Sequence, residues 1–477
     1  MNAASRAALA VAAASAFLLG TGAPARADTP AAGADVSVAQ SLGTRELTVT
    51  IRRVTTVPGP LRVDIVTHAG SPAGALRLAV TPTGADVPNA HRPPPGAVTG
   101  SATVTLPDRP GPAGATLRID RAGPWELSLG DGNQIATVPF TVFAPAVSPP
   151  ERAAYVGFAV AGAALLGTLL LAAAGRRAWW AAIPAAAAVA GLAVATTGAV
   201  LTRSLPPPPQ PGLQRDATVA NATDPYAGPF RATDPSRPPA NATLTAEPAG
   251  LRLRLSDAAT GLPVDDLVVH DGALVHLMVT GPGGELWHLH PVRVGPGEYR
   301  APLEAPAAGR YSAAAELERR GGGVQLIRAQ LDLAAGVAAA PPPAGTAPVR
   351  VSVAPAVAGR PVTILASAGA NADLQPWLGM LGHLIVVGPG DPATAPVWAH
   401  SHSMGMGAGM MAMDGMAGGM LAAPGVDGAP DETVAAYGPV VQFTFTFPLP
   451  GTYRAWIQVE RQYTVITVPV TVTVGAS

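Results

Sequence analysis

Six histidines in this chain fall in a repeated pattern. One segment reads His276-Leu-Met-Val-Thr-Gly-Pro-Gly and then Trp287-His288-Leu-His290-Pro. A later one reads His383-Leu-Ile-Val-Val-Gly-Pro-Gly and then Trp398-Ala-His400-Ser-His402. Residues i and i+2 of a strand share a face, so His288 and His290 project together, as do His400 and His402. His276 and His383 lie on the preceding strand of the same hairpin. Neutral imidazoles converging from two adjacent strands bind Cu(II) or Zn(II). Hairpin loop length decides whether the third histidine joins. An odd loop places His276 on the face of His288 and His290, an even one on the other, and the sequence leaves both open. The copies also differ: Trp287 adjoins His288, whereas Trp398 lies two before His400. The tryptophans therefore face differently unless a bulge intervenes. Strand histidines with ordinary partners and no metal remain the competing reading.

A second constellation follows directly. Seven of the ten methionines lie between residues 404 and 420: Met404, Met406, Met410, Met411, Met413, Met416 and Met420. Gly and Ala interleave them, without the period or the bulk of a core segment. Thioethers are soft ligands that favour Cu(I) or Ag(I). With no Cys in the chain, disulfides and thiolate sites are excluded, and any metal must use His, Met, Asp or Glu. Catalytic patterns are weak. Asp265-Asp266 and His270-Asp271 read as polar loop residues. The chain contains no Lys, so a lysine-bearing phosphate loop is ruled out, and no Ser nucleophile motif stands out. The expectation is a binding protein, not an enzyme. A net charge of −1 gives no indication of nucleic acid.

The elements that position these residues are read from the patterning. Ala7 to Leu19 with Ala25-Arg26-Ala27 fits a signal peptide over residues 1–27. Two uncharged apolar runs, Ala153 to Gly175 and Ala178 to Thr202, are each long enough to cross a bilayer as a helix. Arg176-Arg177 between them belongs on the cytoplasmic side, which places both ends of this hairpin (151–203) outside. No charged residue lies within either run to indicate transport. Residues 28–150 alternate in short strands such as Glu46 to Ile51, Leu61 to Val66, Ala75 to Thr81 and Ala102 to Leu106. A Pro-rich spacer over 204–245, including Pro206 to Pro209, precedes two repeats at 246–337 and 346–477, the second with its Met-rich loop at 403–436. Gly309-Arg-Tyr311 and Gly451-Thr-Tyr453 recur in the repeats, and Gly123-Pro-Trp125 ends the first module similarly. Short regular strands with an aromatic after a corner glycine suit immunoglobulin-like sandwiches. The expected fold is mainly β: three immunoglobulin-like β-sandwich modules plus a two-helix transmembrane hairpin.

The first module, ending in Gly123-Pro-Trp125-Glu-Leu, is similar to the small YtkA-like and CopC-like immunoglobulin-type domains of bacterial envelopes. Residues 246–477 resemble exported bacterial proteins with a His-Leu-x-Val…His-x-His-Pro hairpin. Thr260-Gly-Leu-Pro-Val-Asp-Asp-Leu, His276 to Pro291, Leu378-Gly-Met-Leu-Gly-His383 and Gly451-Thr-Tyr-Arg-Ala-Trp456 carry that likeness. His402 departs from it, being followed by Ser403 and not Pro. The resemblance implies an association with copper or heavy-metal handling. The expectation is therefore a cell-membrane protein, mostly extracytoplasmic, that binds copper at one or both histidine sets and works with an envelope partner. The alternative is a metal-free envelope interaction or adhesion module.

Overall fold

The computed structural model describes residues 35–54, 56–83, 96–142, 148–175, 178–204, 239–248, 250–303, 307–319, 323–334, 349–403 and 431–476. The signal-peptide stretch, Arg176-Arg177, Pro206 to Pro209 and all seven clustered methionines lie outside them.

The first module contains β1 (Val36–Leu42), β2 (Arg45–Ile51), β3 (Gly59–Thr67), β4 (Gly74–Pro82), β5 (Gly100–Leu106), β6 (Gly111–Ile119), β7 (Gly123–Gly130) and β8 (Ile135–Val142). They form two four-stranded antiparallel sheets, β1-β2-β3-β6 and β5-β4-β7-β8. The period-2 pattern sets the sandwich core. Along β3, Leu61, Val63 and Ile65 point inward while Arg62 points out, as strand geometry requires.

Two helices follow, α1 (Pro149–Ala173) and α2 (Ala178–Ser204). Ser148 caps α1 by accepting the Glu151 N–H on its Oγ, and Pro occupies the first turn where no donor is needed. Both helices are long and apolar enough to cross a membrane, and little of either is buried within the protein. A Cβ added to Gly157 would lie 2.6 Å from the Ala195 nitrogen, and one on Gly191 would lie 2.8 Å from the Ala161 nitrogen. The small residues therefore set the backbone approach.

The second module runs through β9 (Ala240–Glu247), β10 (Gly250–Asp257), β11 (Leu267–Val268), β12 (Val275–Thr280), β13 (Leu286–Leu289), β14 (Val292–Gly295), β15 (Glu298–Ala301), β16 (Gly309–Arg319) and β17 (Gly323–Leu333). The third comprises β18 (Arg350–Val353), β19 (Ala356–Val357), β20 (Pro361–Ser367), β21 (Gly382–Gly388), β22 (Val397–Ser403), β23 (Val440–Thr446), β24 (Gly451–Arg461) and β25 (Thr464–Gly475). Sheet orders are β14-β15-β10-β9 against β11-β16-β12-β13 with β17 beside β16, and β18-β20-β23 against β19-β25-β24-β21-β22. The architecture is the expected one, three β-sandwiches and a helical pair.

One device recurs in all three sandwiches. The Trp125 indole donates to the Arg121 carbonyl at 3.1 Å, and the Tyr311 and Tyr453 hydroxyls donate to the Ala307 and Leu449 carbonyls at 2.8 Å. Each aromatic is fully buried, sits two residues after Gly123, Gly309 or Gly451, and bonds four residues upstream. A buried ring with one polar atom needs such a partner.

The last two sandwiches meet through their β12 and β21 sheets. Every residue of β12 and β21 is buried, so both faces of each strand are covered. Leu277 and Val279 fill the second module's own core, and Leu384 and Val386 the third's. Met278 and Ala314 pack across the junction against Ile385, Val387, Trp398 and Trp456. The loop carboxylates also have structural duties. Asp265 takes both arms of Arg293, which also reaches Glu126 of the first module, and Asp266 takes both arms of Arg319.

Tyr453→Phe removes from a buried corner the hydroxyl that donates to the Leu449 carbonyl and accepts the Leu449 N–H, without changing the ring. It should lower stability by about 1 kcal/mol, read as a shifted midpoint in urea unfolding followed by tryptophan fluorescence.

Candidate metal centre

Each repeat opens its histidine strand with the same tight turn. His270-Asp271-Gly272-Ala273 and Trp377-Leu378-Gly379-Met380 close with reciprocal backbone hydrogen bonds of 2.8–3.0 Å. Both central residues have positive φ, 48° and 79° in the first, 55° and 76° in the second. That pattern is a type I′ turn. The two turns pack on each other, and a Cβ on Gly272 would come within 3.2 Å of the Leu378 backbone. The carbonyls of His270 and Trp377 then each accept from the Nε2–H of the histidine six residues on, His276 and His383, at 3.1 Å.

Register settles the face of the third histidine. Met278 stands opposite His288, so His276 shares a face with His288 and His290. His383 stands opposite His402 and Ile385 opposite His400, so those three share a face too. Directly opposed residues always do. The tryptophans face differently, as their spacing requires. Trp287 opposes Val279 and lies beside Tyr311 on the core side, whereas Trp398 opposes Val387 and joins the junction.

The two sets do not form two separate centres. The junction brings them into one, with the His276 and His400 ring centroids 5.0 Å apart, His288 and His400 4.9 Å, and His288 and His383 5.6 Å. The next strand of each repeat reaches across to the other. His288 Nδ1–H donates to Gln458 Oε1 at 2.8 Å, and His400 Nδ1–H donates to Glu316 Oε2 at 2.9 Å. Gln458 in turn donates through Nε2 to Thr467 Oγ1, which fixes its amide orientation. Glu316 and Gln458 are equivalent residues, opposite His276 and His383 respectively.

With one nitrogen bonded outward, the other turns inward: Nδ1 of His276 and His383, Nε2 of His288 and His400. His402 faces Asp271 through Nδ1 at 3.5 Å and turns Nε2 inward. These inward nitrogens then meet in pairs. His276 Nδ1 and His288 Nε2 are 3.1 Å apart; His400 Nε2 is 3.2 Å from both His383 Nδ1 and His402 Nε2. Burial, reinforced by repulsion among the rings, holds His276, His288 and His383 well below the ordinary imidazole range and His402 down to about 4. They are neutral at physiological pH.

Two triads have ligand atoms within 4.8 Å of one another: His276, His288 and His400; and His383, His400 and His402. His290 belongs to neither. Its Nδ1 binds Glu46 Oε1 of the first module at 2.5 Å, and its Nε2 is buried without a partner. Trp377 closes the centre, edge-on to His288, His290 and His383.

Several participants escaped sequence reading. Glu316 and Gln458 each lie five residues after a corner tyrosine, Tyr311 or Tyr453, which is the signal that aligns them. His270 was set aside as a loop residue. His68 and Glu46, from the first module, had no motif. His68 is buried against the third module, with Nδ1 2.6 Å from Glu460 Oε1 and Nε2 3.9 Å from Glu432 Oε2. Burial alone would lower the His68 pKa, but Glu460 first and then Glu432 and Glu46 outweigh it and raise it to about 9. Burial pushes Glu432 up to about 7 against the pull of His68. Glu432 Oε1 also accepts the Leu378 N–H at 2.8 Å, tying this interface to the turn beneath His383.

Residues 350–476 match a family described as a domain of unknown function (DUF8832). This stretch, about a quarter of the chain, is the third sandwich and carries His383, His400 and His402. No curated protein matches the chain. Among solved structures, a tetra-tandem repeat from the extending region of a large adhesion protein is 11% identical, with 92% of this chain and 75% of that one covered and a TM-score of 0.15. A two-domain fibronectin type-III segment from chicken tenascin is 10% identical, with 49% and 97% covered and the same TM-score of 0.15. Scores this low carry no argument, and the sandwich assignment stands on sheet order and register.

Both interface groups have folded pKa values above their ordinary ones, about 6.5 for His and 4.3 for Glu. The stability each contributes is complete below its ordinary value and lost as pH rises through its raised one. Thermal stability should therefore fall as pH rises from about 5 to 7 through Glu432, and from about 6.5 to 9 through His68. Glu432→Gln should flatten the first interval and His68→Gln the second in melting temperatures measured across pH.

Proposed function

We propose that the chain is a membrane-anchored, extracytoplasmic copper-binding protein that buffers or delivers the metal. One observation carries this reading: histidines of both repeats turn ring nitrogens toward one another, with pairs 3.1–3.2 Å apart inside each repeat and the ligand atoms of His276, His288 and His400 within 4.8 Å across the junction. A proton or a metal cation between two such nitrogens makes the contact favourable. Nitrogens held about 2.0–2.1 Å from a tetrahedral ion stand about 3.3 Å from each other; the pairs inside each repeat already have that spacing, and His400 would close on His276 and His288 from within 4.8 Å. Every other nitrogen of the triads is turned to a carbonyl, an amide or a carboxylate, the outer support that fixes a ligating imidazole.

The donor set fits the group. His276, His288 and His400 would hold an ion at the junction, with His383 and His402 as the alternative partners of His400. Imidazole suits Cu(II) and Zn(II) alike. The methionines that follow Ser403 in the sequence favour copper, since thioethers capture Cu(I) or Ag(I). When bound, the ion supplies the positive charge that the facing lone pairs lack. The protein's own residues fix ring orientation and, by burial, keep His276, His288, His383 and His402 unprotonated. The two apolar helices support anchoring, and the signal-like start with the Arg176-Arg177 pair supports an outer location for the sandwiches. The likeness of residues 246–477 to exported metal-associated proteins points the same way.

The test uses the purified full chain in detergent, loaded with Cu(II), desalted and assayed by elemental analysis. At least one equivalent should be retained. His400→Ala, which strips both triads, should weaken retention by more than about tenfold, whereas His290→Ala should leave most of it. A chain that emerges metal-free would instead support the envelope interaction module without metal.

A further inference from the structure

We propose that His270, Asp271 and Glu316 form a second cation position, at the mouth of the histidine centre, taking a divalent ion through two carboxylates and one imidazole. Their ligand atoms lie within 4.8 Å of one another. His270 Nε2 is 3.0 Å from Asp271 Oδ2 and 3.7 Å from Glu316 Oε1. The Asp271 side chain is only 5% exposed, and its Oδ1 is buried without a hydrogen-bond partner.

The chain contains its own control. The third module repeats this scaffold with neutral residues: Trp377 stands for His270, Leu378 for Asp271 and Gln458 for Glu316. The turn forms with Leu378 at φ 55° as it does with Asp271 at φ 48°. Gln458 orients His288 as Glu316 orients His400. The carbonyl that holds the strand histidine comes from the backbone in both copies. Neither the turn nor the hold on the strand histidine therefore requires ionisable side chains at all three positions. Leu at positive φ is the more strained choice, yet the neutral copy accepts it. What the charged copy adds is a carboxylate cradle for positive charge: burial would lower the His270 pKa, but Asp271, Glu316 and Glu318 raise it to about 12, so a divalent ion would enter by displacing the ring proton.

The position is continuous with the inner centre and opens outward from it. Glu316 Oε2 accepts from His400, and Asp271 Oδ2 lies 3.5 Å from His402 Nδ1. On the outer side, Glu318 Oε2 lies 3.3 Å from His270 Nδ1, and Glu318 is 30% exposed. An ion held here rests against the same carboxylates that orient the inner imidazoles. The site stands by itself; its role in loading the inner centre rests on the copper reading above.

Oxygen-rich donor sets accept Mn(II), which imidazole-only sets hold poorly. Mn(II) therefore probes the outer position alone. The full chain in detergent should bind one Mn(II) by electron paramagnetic resonance titration. His270→Ala and Asp271→Asn should each weaken it by more than about tenfold, while His288→Ala should not. Asn tolerates positive φ, so Asp271→Asn keeps the turn. Absence of Mn(II) binding, or binding unchanged in both outer variants, overturns the proposal. Mn(II) uptake by a chain that retains no Cu(II) would leave this site standing and remove the function proposed for the inner one.

Discussion

The arrangement depends on one packing event, the burial of the outer faces of β12 and β21 against each other. A sandwich normally leaves the outer face of each sheet to water. Here Met278, Ile385, Val387 and Trp456 cover that face with apolar contact, and the histidines at one end of the same strands are carried into a dry junction. The imidazoles are thereby desolvated together, which keeps His276, His288, His383 and His402 neutral and gives weight to each nitrogen's partner. The first module completes the enclosure through Glu46 and His68, and Glu432 links it to the Leu378 turn. Local changes in any of the three sandwiches can reach the centre through these few bonds.

The junction is built from duplicated parts that are not chemically equal. Its two turns, two histidine hairpins and two cross-reaching residues are related copy to copy. One side carries Trp377, Leu378 and Gln458; the other carries His270, Asp271 and Glu316. The shared scaffold sets geometry, and the differences set polarity. One flank of the centre is aromatic and neutral, the other anionic and closer to solvent. A cation approaching this centre meets favourable charge on one side only.

Much of the fold was legible in the sequence because it rests on local rules. Alternation along Leu61 to Val66, the glycine before Tyr311 and Tyr453, and the uncharged runs around Arg176-Arg177 each point to their element. The repeat was legible from its motif spacing. The histidine face was not, because parity depends on where strands end: five residues, Gly281 to Glu285, separate β12 from β13, and that count needs the register. The union of the two repeats was also hidden. The continuous apolar runs of β12 and β21 imply cover on both faces, but no single strand records what covers it. His270, Glu46 and His68 act only through contacts distant in sequence, so no spacing rule could expose them. His290, which the pattern places with His288, is drawn off by Glu46.

The central claim is that imidazoles from both repeats share one ion. The most direct measurement is anomalous X-ray diffraction from crystals of the full chain loaded with Cu(II). The account predicts an anomalous peak about 2 Å from His400 Nε2, with His276 and His288 completing the ligands; a peak held only by His383, His400 and His402 would deny the sharing. An anomalous map with no peak within bonding distance of His400 would contradict it.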